Sequence, residues 1–152
     1  MHRFAVICCV TFLLLLVSGS AMAATSESEA ERSLRHGRYA EAIRQAEQLA
    51  KKGMPSRVAV APVHAEALIR HGRRAAAIRV LKAVSAEPEA HLARLLLGET
   101  LIGLGKRREA EAHLMRIIDA YNADVITDRD ARGLAIVARA AYLLRAYRDA
   151  ND

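Results

Sequence analysis

Histidine is the side chain best suited to acid–base work or metal ligation near neutral pH. Five of the six in this chain, His36, His64, His71, His91 and His113, lie beyond an apolar N-terminus. Their spacing argues against both uses. His64 and His71 are seven apart, about two helical turns, and cannot chelate one ion directly. No His-Glu-x-x-His run occurs, so the histidines read as surface or partly buried groups. Both cysteines, Cys8 and Cys9, fall inside the apolar N-terminus, which leaves the rest without a thiolate ligand or a cysteine nucleophile. Ser26, Ser28, Ser33, Ser56 and Ser85 have no glycine elbow around them. Asp124, Asp128 and Asp130 lack the glycine and the downstream glutamate of a calcium loop. No phosphate-binding glycine loop is present, and Glu41, Glu47, Glu66, Glu99, Glu109 and Glu111 read as ordinary helix charges. The expectation is a protein with no catalytic residues, no cofactor and no metal.

The elements that carry these residues follow a period. Gly37-Arg38-Tyr39-Ala40-Glu41-Ala42-Ile43, Gly72-Arg73-Arg74-Ala75-Ala76-Ala77-Ile78 and Gly105-Lys106-Arg107-Arg108-Glu109-Ala110-Glu111 share one grammar, and Arg145-Ala146-Tyr147-Arg148-Asp149-Ala150-Asn151 is a weaker copy. Their shared alanines, Ala42, Ala77, Ala110 and Ala150, are 35, 33 and 40 residues apart. A period in that range marks a solenoid of helix pairs. Alanine, leucine, arginine and glutamate dominate from Ser26 to Asp152, and all favour helix. Ala42, Ala46 and Leu49 lie at offsets of 0, 4 and 7, as do Ala77, Leu81 and Val84, and Ala110, Leu114 and Ile117. Each trio therefore shares one helical face. Seven residues before each tag stands a small residue, Ala30, Ala65, Gly98 or Ala138, which would let two helices approach closely. Gly37, Gly72 and Gly105 fit left-handed helix stops. Pro62 fits the first turn of a helix, and Asp128 or Asp130 would cap the helix after the longest connection. His36 and His71 then occupy equivalent places in consecutive units, about 8–10 Å apart, too far for one zinc ion.

The N-terminus has a different character. Arg3 precedes an apolar run from Phe4 to Val17, interrupted by Thr11, and Ser18-Gly19-Ser20-Ala21-Met22-Ala23 follows. That is the layout of a secretory signal peptide cleaved after Ala23. The run is short for a membrane span, which needs about 20 residues. Cleavage would leave Ala24–Asp152, with 22 basic and 17 acidic residues and no cysteine or phenylalanine. Such a chain, exported to the periplasm or beyond the cell, relies on packing without disulfides.

The repeated pattern resembles the tetratricopeptide repeat family, whose unit is two antiparallel helices in about 34 residues. Gly37-x-Tyr39-x-Glu41-Ala42 is a close copy of the signal that opens the family's second helix, and Ala30, Ala65, Gly98 and Ala138 match its small residue in the first. The family's early tryptophan is absent, and Leu49, Val84 and Ile117 replace its closing small residue. The resemblance covers about Ser26 to Asp152 and implies an all-α helical-hairpin solenoid of three and a half units, spanning about 24–55, 56–90, 91–122 and an incomplete 131–152. Because Ala150-Asn151-Asp152 would fall just inside the second helix of the fourth unit, a longer natural protein is one expectation.

Arrays of this kind present surfaces to partners, so the expected function is a non-catalytic scaffold that binds a peptide or protein in the bacterial envelope. Arg94, Glu99 and Arg139 would face the concave groove. The family's carboxylate clamp is not visible, since the matching first helices offer Glu66, Leu95 and Glu99. Cations also cluster at the helix-joining turns, with Arg73, Arg74, Arg107 and Arg108 the main candidates for a ridge. Two readings stay open there. One is a binder of an anionic envelope polymer, a lipid or an acidic peptide. The other is favourable placement of cations near helix C-termini, worth about 0.3–1 kcal/mol each. Export and the lack of interleaved aromatics argue against nucleic acid. A further alternative is the accessory scaffold of a longer envelope enzyme, such as a peptidase.

Overall fold

The computed structural model describes residues 29–52 and 57–148. The expected signal peptide, residues 1–23, lies outside the described residues. Helix α1 covers residues 29–35. It is followed by α2 (Tyr39–Lys51), α3 (Arg57–Arg70), α4 (Arg74–Val84), α5 (His91–Ile102), α6 (Arg107–Asn122) and α7 (Ala131–Arg148). No strand occurs among the described residues. No described helix is long and apolar enough to cross a membrane.

The glycine turns explain the tags. Gly37, Gly72 and Gly105 have φ of 73°, 83° and 74°, a left-handed conformation that costs glycine little. Around each, the same two bonds close the first helix. The N–H of Arg38, Arg73 or Lys106 donates to the carbonyl of Ser33, Leu68 or Leu101, and each glycine N–H donates to Leu34, Ile69 or Ile102. This is the Schellman arrangement, which satisfies carbonyls the helix end would leave unpaired. The residue after each glycine also becomes the N-cap of the second helix. Asp124, with φ 55°, ends α6 in the same way.

Packing follows the offsets. Ala42, Ala46, Ala77, Leu81, Ala110, Leu114 and Ile117 are at most 1% exposed. Ala30 and Ala65 are buried, and a Cβ on Gly98 would lie 2.7 Å from Leu114 Cδ2. The main core cluster runs from Ala42 to Ala110, and a second joins α5 and α6 to α7 through Leu95, Leu114, Ile117, Ile126, Ile136 and Ala140. The first helices α3, α5 and α7 touch one another in sequence, while α2, α4 and α6 each touch only the first helices beside them. Close inner helices and splayed outer ones give the array a concave side lined by α1, α3, α5 and α7.

Three expectations are corrected. Ala138 is exposed, and Ala140, two residues later, is the small buried residue of the last inner helix. The longer connection folds Ile126 into the core at 2% exposure and so shifts the register of α7. Helix α7 also runs unbroken through Arg145–Arg148. Arg145 stands where the other tags have glycine, and without a residue that readily takes positive φ the helix continues. Pro62 lies inside α3 and not in its first turn, because the helix is already formed at Arg57. Burial of Val60, Ala61 and Pro62 offsets the backbone bond the proline forfeits. Asp130 does cap α7, its Oδ1 accepting from the N–H of Gly133 at 2.9 Å.

Candidate protein-binding groove

A concavity of about 400 Å³ lies on the inner side. It is built by the N-terminal parts of α1, α3, α5 and α7, with Leu49 of α2. Its apolar surface comes from Val58, Pro62, Val63, Leu92 and Ile136, and Glu31, Glu89, Asp130 and Arg132 stand among its polar groups. Three carboxylates against one guanidinium make the polar lining acidic.

His91 completes the lining. Its Nδ1 lies 3.3 Å from Nη1 of Arg94. Arginine can only donate, so Nδ1 accepts and the ring proton sits on Nε2. Burial, and then the charge of Arg94, lower the His91 pKa below its ordinary 6.5, with Asp130 and Glu89 opposing. His91 is therefore a neutral donor near pH 7.

Arg94, expected to face the groove, is 6% exposed and its guanidinium is turned to the backbone of the 85–90 loop. Its Nε donates to the carbonyl of Ser85 at 3.0 Å, Nη1 to Pro88 at 3.1 Å and Nη2 to Glu87. Burying a guanidinium is costly unless its donors are used, and here it ties down the 85–90 loop that carries Glu89 to the groove. Glu99 and Arg139 are brought together, Arg139 Nε donating to Glu99 Oε1 at 2.7 Å. The same guanidinium lies 5.6 Å from the centre of the Tyr142 ring, 62% exposed. The pair thus neutralises itself across α5 and α7.

Arg73, Arg74, Arg107 and Arg108 are exposed. They lie at the starts of second helices, not only beyond the ends of first ones. Helix N-termini carry partial positive charge, so the dipole disfavours cations there by amounts similar to the gain at the other end. Glu41 and Glu109 compensate in the first turns of α2 and α6, but α4 has no acidic residue in its first turn. Favourable dipole placement therefore does not explain the cluster at α4.

The groove residues Val58, Leu92, Ile136 and Glu89 were not singled out by sequence, and Asp130 reads there as a helix cap and not as a groove residue. The inner helices are apolar on more than one side, as Leu92-Ala93-Arg94-Leu95-Leu96-Leu97 shows, so no one face stood out. The arginine inside that run is the buried one, which its sequence context does not distinguish from a groove contact. Among the described residues, no group of three or more histidine, cysteine, aspartate or glutamate side chains is placed to hold a metal ion.

Residues 68–127, from the last turn of α3 through α6 and into the following connection, match the tetratricopeptide repeat family model. Over that stretch the chain is similar to the tetratricopeptide repeat family. No match was found among curated proteins or among solved structures. Tetratricopeptide repeats generally mediate protein–protein interaction, and the matched stretch holds two of the three glycine turns.

Proposed function

We propose that this protein is an exported scaffold that takes a segment of a partner protein into the inner groove, in the bacterial envelope. The observation that carries the groove assignment is an apolar concavity of about 400 Å³ bordered by Glu31, Glu89 and Asp130. Concave sites with a mostly apolar lining and a few placed polar groups are the usual form of a binding pocket. An acidic border favours a segment that combines apolar anchors with lysine or arginine. Export rests on the Arg3, Phe4–Val17 and Ala21-Met22-Ala23 layout.

Selection of displayed peptides against the protein tests the groove. Enriched sequences are expected to be apolar and basic, and Leu92→Arg is expected to weaken their binding by roughly tenfold or more, on the order of 1.4 kcal/mol. Enrichment that Leu92→Arg leaves unchanged would place binding elsewhere. For export, N-terminal sequencing of protein from the envelope fraction of an expressing bacterium should begin at Ala24. Recovery of the intact chain in the cytoplasm alone would overturn that part.

A further inference from the structure

The opposite chemistry gathers outside the groove, at the turns joining the two helices of each unit. Arg38 precedes α2, Arg73 and Arg74 open α4, and Lys106 and Arg108 lie at the start of α6. Arg35, Arg38 and Arg70 have carboxylate partners in Glu31, Glu41 and Glu66. Arg73, Arg74, Lys106 and Arg108 are exposed, and none has a carboxylate within ion-pair distance among the described residues. They stand at helix starts, where the dipole opposes them. Each turn also follows a first-helix C-terminus, so the two dipoles oppose each other there and the fold gains little from this charge.

The first helices stack in sequence, which sets the turns of successive units side by side. Successive turns are set about 10 Å apart by the packing distance between helices. An extended polypeptide rises about 3.3 Å per residue, so every third side chain meets the next turn. Surfaces that lie on lipid place large apolar side chains beside their cations. Along the described edge, Leu104 alone is a large apolar side chain counted as exposed.

We propose that this edge is a second docking surface, for an acidic polypeptide segment that runs along the turns with carboxylates about three residues apart. It goes beyond the groove reading, since the acidic groove lining would repel the same segment.

Fluorescence anisotropy with the purified full-length protein and a labelled peptide bearing aspartate at every third position tests this. The peptide is expected to bind at low salt and to weaken by roughly tenfold or more when sodium chloride is raised to about 0.3 M. Arg74→Glu with Arg108→Glu should weaken it to a similar degree while the circular dichroism spectrum stays helical. Arg74→Lys with Arg108→Lys should keep most of the affinity, and Leu92→Arg should leave it unchanged, which separates this edge from the groove. Three results would overturn the proposal: no binding at low salt, binding indifferent to the double charge reversal, or sedimentation with phosphatidylglycerol vesicles in the absence of peptide binding.

Discussion

At Gly98 a Cβ would come within 2.9 Å of Leu114 Cγ, and Leu114 is 1% exposed. The side chain has nowhere to retreat, so Gly98→Ala should destabilise the protein by about 1–3 kcal/mol in urea unfolding. Gly98 was legible as a close-approach residue because it sits seven before a tag, where the other units have alanine. Arg94 was not, since an arginine in an apolar helix reads equally as a groove contact or a clamp. Its three backbone acceptors decide for the clamp. Arg94→Ala should cost about 1.5–3 kcal/mol by the same measurement, and Arg94→Lys should recover only part of it, because an ammonium cannot span three carbonyls as a guanidinium does. Buried His64 and the half-buried His91 and His113 set a pH dependence. Burial is the leading cause that lowers the pKa of His64, His91 and His113 below 6.5. The unfolded chain then binds more protons than the folded one as pH falls past about 6.5, so stability is full above that pH and declines below it. Urea midpoints should fall between pH 7 and pH 5, and His64→Gln should reduce that fall.

Among elements, the turns were legible and the last inner helix was not. A glycine followed by a cation recurs three times, and each copy folds into the same pair of backbone bonds at positive φ. The fourth tag shared the spacing but lacked the glycine, and α7 passes through it. Pattern alone could not separate the two cases, because arginine and alanine favour helix interiors as readily as helix starts. The register of α7 was also hidden. Ile126 is a short apolar interruption in a polar connection, and nothing in its neighbours shows that it is buried. Its burial and the Asp130 cap set where α7 begins. Asp130→Ala should therefore lower stability by about 1 kcal/mol, read as a lower melting temperature.

Across the molecule, among the described residues, each unit leans on its neighbours and no helix reaches past the next pair. Amide exchange should be slow in α3 to α5, where Leu68, Leu81, Leu97 and Leu101 are fully buried. Leu97→Ala, in the middle of that block, should cost about 2–5 kcal/mol in urea unfolding. The inner groove and the cationic edge lie on separate parts of this frame, so two partners of opposite charge have room to bind together. The small residues that hold the helices close have a thermal consequence as well. Among the described residues, eleven of the 24 buried apolar side chains are alanine. Alanine has no side-chain rotamers to freeze on folding, and it hides less hydrocarbon from water than leucine or phenylalanine does. Unfolding therefore raises the heat capacity by less than the usual 12–15 cal/mol/K per residue, roughly speaking, and free energy changes gently with temperature. A core chosen for close approach is thereby a core indifferent to cold.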